Sequence, residues 1–537
     1  MRVRAMARVF VLPATVAALL LAPIQATAST AQLAMFEDDL GLLSHPVPTL
    51  SRLRSLGVGV VRLSLRWSTF APAPGSRRRP HNFDAANPGA YPRGNWAPYD
   101  AVVREAPKDG IEVELLLSGG APRWATGAGQ PRGGPFLQWR PSAREYGAFV
   151  EAVARRYSGG YVPPGSSSPL PGVSFWEIWN EANFGQNLAP QAVDGSTVST
   201  SPGMYRSLLD AGWAALQRTG HGHDTILIGS LSPRGFNGPP TPRFHEGLPG
   251  FFSTTKPLQF IRTLYCVSSS YRRLGGRAAA AVGCPASARG SRRFRAAHPA
   301  LFEASGFGIH PYPFDLPPTQ ADSPDPDYAE FSELPRLAST LNRLQRLYGS
   351  SRRPRIYNME FGYITDPPNR TLHYGRHFLS PATAAYYINW AEYISWRRPQ
   401  IASYMQFLLN DPNPRASGFA TGLLTLHGRI KPAYYAYRMP IYLPVTSARR
   451  GRSLEVWGCV RPAHYAQLDT GQPQAVQIQL QRGSRGPFAT VATVGITSLR
   501  GYFDRRVAFE ASGSVRLAWS YPSGRTIYSR QVHLTVR

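Results

Sequence analysis

Trp176-Glu177-Ile178-Trp179-Asn180-Glu181-Ala182-Asn183-Phe184 reads as a buried strand that ends in an amide and a carboxylic acid side by side. Val173, Phe175, Trp176, Ile178 and Trp179 supply the β-branched and aromatic content of a core strand. The same kind of short apolar run recurs on both sides of it. Further strands are expected at Leu33–Phe36, Val58–Leu65, Ile111–Ser118, Ile226–Leu231, Phe307–His310, Arg355–Glu360 and Ser403–Leu408. Helical patterns fill the intervals, around Tyr99–Pro107, Gly203–Arg218, Glu333–Tyr348, Thr383–Trp396 and Pro432–Met439. The clearest begins at Ser142 with a capping box closed by Glu145, and stops at Ser158-Gly159-Gly160. Eight strands alternating with helices from about Gln32 to Tyr442 predict an α/β fold, a (β/α)8 TIM barrel rather than an open sheet. No glycine-rich phosphate loop follows the first strand, which weakens a dinucleotide-binding alternative. In a parallel barrel, Asn180 and Glu181 stand at the end where the chemistry is kept.

Beyond about Pro444 the texture changes to short alternating strands separated by turn residues: Leu454–Val460, Ala475–Gln481, Ala489–Val494, Gly501–Phe509, Val515–Tyr521 and Gln531–Val536. That pattern describes a small all-β sandwich, with Trp457, Trp519 and Tyr521 expected in its core. At the other end, Arg2, Arg4 and Arg8 precede an apolar run from Val9 to Leu21 and the small-x-small pattern Ala26-Thr27-Ala28. These are the parts of a secretory signal peptide cleaved after Ala28, and the run is short for a membrane span. The expected organisation is a signal peptide over 1–28, a barrel over 29–443 and a sandwich over 444–537. An exported, soluble monomer with no membrane insertion after cleavage follows. Cys266 and Cys284, close together in a loop-like insertion (Gly238–Ser305), are the expected disulfide. Cys459 is left over, buried in the C-terminal domain.

The formal net charge is +27, and only Lys108, Lys256 and Lys431 are lysines. The arginines are scattered from end to end without a nucleic-acid-binding motif, and export argues against such a partner. Attraction to anionic cell-surface polymers remains compatible with this charge.

A second strand ends in a carboxylate. Arg355-Ile356-Tyr357-Asn358-Met359-Glu360 runs into Phe361-Gly362-Tyr363, a turn that leaves Glu360 at the rim. Counted along the chain, Glu181 and Glu360 come from the fourth and seventh strands, which face each other across a barrel mouth. Glycosidic bond cleavage needs such a pair: one acid protonates the leaving oxygen while the other attacks or steers water.

WEIWNEANF and YNMEFGY resemble the acid/base and nucleophile strands of the retaining clan A glycoside hydrolases, which are (β/α)8 enzymes. The overall pattern is similar to families 39 and 5. Val60-Val61-Arg62-Leu63-Ser64-Leu65-Arg66-Trp67 resembles the second strand, whose arginine braces the nucleophile. Gly120-Ala121-Pro122-Arg123-Trp124-Ala125 resembles the sugar-lined loop after the third strand, and Ile309-His310-Pro311-Tyr312 the sixth-strand motif. The resemblance implies Glu181 as general acid/base and Glu360 as nucleophile. It implies that Asn180 binds the sugar 2-hydroxyl, that His310 and Tyr312 hold Glu360, and that Arg62 keeps it ionised. A substrate carbohydrate is implied, with about 5–5.5 Å between the two carboxyl groups. Two departures stand out: Ala182 follows the acid/base where many relatives have proline, and Tyr404-Met405-Gln406-Phe407 lacks the usual eighth-strand tryptophan. Gln406 or Phe407 is the expected substitute.

Other residues have simpler readings. Glu177 shares a strand face with Glu181 but lies deeper, and is expected to pair with an arginine. Trp67 and Trp124, at strand ends, are candidate sugar platforms, whereas Trp176 and Trp179 are packing residues. Glu37-Asp38-Asp39 is expected to be a solvated turn, and no cofactor or catalytic metal is expected. Two other functions fit the same residues: a carbohydrate-binding protein that has lost the chemistry, and a transglycosylase using both glutamates.

Overall fold

The computed structural model describes residues 29–537 apart from Thr30, Gly133, Pro135, 193–197, Phe244, Glu246, Ser323, 368–377 and 414–416. The expected signal peptide lies outside the described residues. Eight strands carry the first domain: β1 (Leu33–Glu37), β2 (Val60–Arg66), β3 (Glu112–Ser118), β4 (Phe175–Ile178), β5 (Thr225–Leu231), β6 (Gly306–Ile309), β7 (Arg355–Asn358) and β8 (Ile401–Phe407). They pair in parallel in chain order, and β8 returns to β1 to close a barrel. Helices cover the outside, so each strand is buried on both faces and reads as a nearly unbroken apolar run. All eight strands lie where the sequence places them.

The helix Ala143–Arg156 starts where the local reading puts it, but the expected capping box is half made: the Ser142 N–H goes to Ala125 O and the Glu145 carboxylate to Arg79. Ser142 Oγ accepts from the Glu145 backbone N–H, and Tyr146, Phe149, Val150 and Val153 form its buried face. Between β5 and β6 the insertion is not loop-like. It folds into the helices Pro257–Leu264, Gly276–Ala281 and Ala288–Ala297, with Cys266 and Cys284 joined by a disulfide. Among the described residues no helix is long and apolar enough to cross a membrane.

The C-terminal domain holds two sheets, antiparallel except where Ser447–Ala448 pairs in parallel with Val532–Val536. In one, Gln474–Arg482 lies between Phe488–Ile496 and Gly513–Ser520; in the other, Ser453–Cys459 pairs with Tyr502–Ala508 and with Ile441–Tyr442. Gln474–Arg482 alternates buried and exposed residues, and Val476, Ile478 and Leu480 pack with Val456 and Leu517 in one core. Trp519 packs there and Trp457 is buried between the two domains, beside Trp396 and Tyr442. Cys459 is free and buried. The domains are locked together by Arg461, whose guanidinium donates to both oxygens of Glu392 on the barrel helix Pro381–Trp396 at 2.7 Å. Tyr502 donates to the same carboxylate.

Candidate active site

The floor of the site is built by strand register. Glu37 of β1 is level with Arg62 of β2, and Arg62 is level with Glu114 of β3. All three point inward because residues at one level of a parallel barrel share a face. Arg62 is wholly buried and spreads its donors over the surrounding acids. Its Nε and Nη2 donate to the two oxygens of Glu177 at 2.7 and 3.2 Å, and Nη1 donates to Glu37 at 2.5 Å. Nη1 also donates to Glu360 Oε1 at 2.9 Å, and Nη2 to Asn180 Oδ1 at 2.9 Å. Glu114 lies 3.7 Å from Nε.

One guanidinium cannot compensate four carboxylates equally. Burial alone would raise the pKa of Glu177, but the Arg62 charge and its two hydrogen bonds overcome this and hold the carboxyl below its ordinary value. Burial, with the like charge of Glu177 beside it, drives Glu114 well above the ordinary range. Glu37 is also raised well above it, by burial against the pull of Arg62. Glu114 accepts no hydrogen bond from a described donor, and its raised pKa favours the neutral acid, which has Glu177 beside it as an acceptor.

Above this floor stand the two glutamates at strand ends. The backbone turns sharply after β4: Trp179 and Glu181 have φ of 69° and 41°, and Ser230 beyond the middle of β5 has 46°. Such left-handed conformations in non-glycine residues are costly and concentrate where side chains must be aimed. Gly119 makes room for this turn, since a Cβ there would lie 2.3 Å from the Trp179 ring. The Glu181 N–H is tied to Ser230 O at 2.9 Å. Its carboxyl is 17% exposed, and that of Glu360, just past β7, is 14% exposed, so both can meet a ligand.

His310, just past β6, stands between them. Its Nδ1 is 3.0 Å from Glu181 Oε1 and 3.5 Å from Glu360 Oε1. The two Oε1 atoms are therefore no further apart than those distances laid end to end, about 6.5 Å. Nε2 has no partner among the described residues, so Nδ1 is the ring nitrogen that meets the two carboxyls. Tyr312 donates to Glu360 Oε2 at 3.1 Å. Burial raises the Tyr312 pKa well above its usual value and the Glu360 charge adds to this, so its proton stays on the phenol. Asn187 donates to Glu181 Oε2 at 3.3 Å.

The structure revises several expectations. His310 makes its shorter contact with Glu181, not Glu360. Trp67 is no platform: it is 1% exposed, and its ring packs against Tyr146 and Phe149 because the chain after β2 turns into the short helix Trp67–Phe70. Trp124 is partly exposed and borders a surface hollow with Arg77, Arg123 and Phe136. Gln406 is buried, with its amide spent on the carbonyls of Phe407 and Thr421 at 2.9 and 2.8 Å. Phe407 instead faces Tyr312 edge-on, and Phe419, which nothing in the sequence marks, packs on the same ring. Nor is Glu37-Asp38-Asp39 a solvated turn. Glu37 is held by Arg62, Asp38 is 4% exposed, and Asp39 accepts from the Ser64 N–H at 3.1 Å.

No protein-family model matches the sequence, and no curated protein matches it. Solved structures similar to the chain include a family 39 glycoside hydrolase from Bacteroides cellulosilyticus (14% identity, 90% of this chain and 80% of that one, TM-score 0.47). A glucosidase from Croceicoccus marinus shares 12% identity over 95% of this chain and 94% of its own, with a TM-score of 0.45. A family 30 endoxylanase from Clostridium papyrosolvens shares 11% over 90% and 96%, with a TM-score of 0.44. These are likenesses of fold.

Proposed function

We propose that the chain is an exported retaining β-glycosidase, with Glu181 as acid/base and Glu360 as nucleophile. The observation that carries this reading is the pair of part-exposed carboxyls from β4 and β7, held close by one imidazole and surrounded by different partners. Glu360 receives a guanidinium donor on one oxygen and a phenol donor on the other, which orients it and balances its negative charge. Glu181 is met by His310 and Asn187, and by no arginine or lysine among the described residues. The limit of about 6.5 Å on their separation suits direct attack by Glu360, since inverting enzymes keep about 6.5–9.5 Å for a water.

In the first step Glu360 attacks the anomeric carbon while Glu181 gives its proton to the departing oxygen. The bond to the leaving group breaks as the glycosyl ester forms. In the second, Glu181 takes a proton from water, the water oxygen joins the anomeric carbon, and Glu360 departs as carboxylate. Asn180 is held through Oδ1 by Arg62, which leaves its N–H groups to bind the sugar 2-hydroxyl as positive charge develops. Export is supported by the Arg2–Ala28 leader pattern and by the Cys266–Cys284 disulfide.

The test is a screen of aryl β-glycosides and plant or bacterial polysaccharides, followed by Glu360→Gln and Glu360→Gly on the best substrate. Loss of turnover in both, with azide restoring Glu360→Gly through a glycosyl azide of inverted configuration, is expected. Full activity in well-folded Glu360→Gln would sink the assignment.

A further inference from the structure

A groove of about 970 Å³ runs between the two domains, away from the glutamates. One wall is the barrel, from helices Pro46–Ser55 and Pro432–Arg438, and the other is the C-terminal domain around Tyr521 and Arg525. Helices of a parallel barrel run back from the catalytic end of the strands, so Pro48 and Ile430, near the starts of these two, place the groove's upper end at the catalytic rim.

Its charge is uncompensated. Four arginines and a single acid line it. The acid, Asp469, is taken by Arg54, which also lies over the Tyr465 ring at 4.3 Å. Arg52, Arg438 and Arg525 have no ion pair among the described residues. Arg438 is the most telling. It is half-buried beside the rings of Tyr434 and Tyr435, 5.7 and 5.6 Å from their centroids, and its Nε is buried without an acceptor. Burial lowers its pKa, and the like charge of Arg525 across the groove lowers it further. Two guanidiniums facing each other without a counter-charge cost stability unless an anion sits between them. Beside them stand exposed apolar side chains: Tyr435 is 42% exposed and Ile430 51%.

We propose that this groove binds an acidic oligosaccharide, with Arg438 and Arg525 taking its carboxylate or sulfate and Tyr435 stacking against a sugar ring. The choice of a sugar rests on the proposed function, whereas the need for an anion rests on the groove alone. A uronate carboxylate, which is planar, and a sulfate ester, which is tetrahedral, each offer a pair of oxygens that the planar fork of arginine can engage. The groove therefore retains the protein on charged polysaccharide, with Arg438, at the end of its helix, at the groove end away from the catalytic rim.

The test uses the full chain carrying Glu360→Gln, so that binding is read without turnover. Titration calorimetry at low salt compares short oligogalacturonides, sulfated dextran oligosaccharides, neutral xylo-oligosaccharides, polyglutamate and single-stranded DNA. One or both acidic sugars should bind, more weakly as salt rises, and whichever binds tells carboxylate from sulfate ester. Adding Arg438→Gln and Arg525→Gln should weaken that binding about tenfold or more. Arg525→Glu, at an exposed position that does not threaten folding, should do the same. Equal binding of neutral sugars, tighter binding of polyglutamate or DNA, or affinity unchanged in Arg525→Glu would overturn the proposal. Because hydrolysis is not the readout, a failed glycosidase assignment would leave the anion result legible.

Discussion

Glu114 and Glu177 are adjacent buried carboxyls that should respond oppositely to the same substitution. Glu177→Gln removes the charge that takes two hydrogen bonds from Arg62, at 2.7 and 3.2 Å. Removing one partner of a buried ion pair costs about 3–5 kcal/mol. The glutamine can still accept one bond, which favours the lower end, about 3 kcal/mol, from a total stability of roughly 5–15 kcal/mol. Glu114→Gln exchanges a neutral acid for a neutral amide that can also donate to Glu177, so its cost at neutral pH should stay within about 1 kcal/mol. The pH dependences differ in sign. Glu177 is depressed in the folded state, so its contribution is present above the unfolded carboxylate pKa and is lost as pH falls through the folded value. The gap between wild type and Glu177→Gln should close on acidification. Glu114 is raised, so the wild type loses stability as pH climbs from the unfolded carboxylate pKa to the folded value, and Glu114→Gln should gain on it across that range. Urea denaturation followed by tryptophan fluorescence from mildly acidic to alkaline pH measures both. Equal losses in the two variants at pH 7, or a reversed order, would refute the assignment of the proton to Glu114.

Three further outcomes follow from single contacts. Tyr312→Phe deletes the 3.1 Å hydrogen bond to Glu360 and should lower kcat/KM about tenfold, roughly 1.4 kcal/mol, with the fold intact; steady-state kinetics on an aryl glycoside checks it. Burial pushes the Asp38 pKa up to about 6, so the wild type loses stability as pH rises through that value. Asp38→Asn should therefore melt higher by up to about 3 kcal/mol at pH 7.5 and show no advantage at pH 3.5, a trend that calorimetry at the two pH values tests. Cys266→Ser with Cys284→Ser opens a bridge between residues 18 apart, worth about 3 kcal/mol, and should show as early proteolysis within the Gly238–Ser305 insertion.

The barrel was legible because each of its strands is a short apolar run set between helical periods, and a parallel sheet covered on both faces produces that pattern. Glu181 and Glu360 were legible for the same reason, since a carboxylate that ends such a run has only the barrel mouth to occupy. The floor was not. Glu37 reads as the start of an acidic turn and Glu114 as an ordinary polar residue near the start of a strand, because their partner Arg62 is far away in sequence. Only closure sets the three side by side on β1, β2 and β3. Trp67 misleads in the opposite way: a strand-end tryptophan has the chemistry of a sugar platform, but the helix that buries it, Ala143–Arg156, follows β3. Local pattern therefore reports where a side chain leaves its own strand, and register decides what it meets. The proposed reaction depends on both, since the sequence marks two carboxyls at the rim and Arg62, fixed by register, gives a cation to Glu360 and none to Glu181.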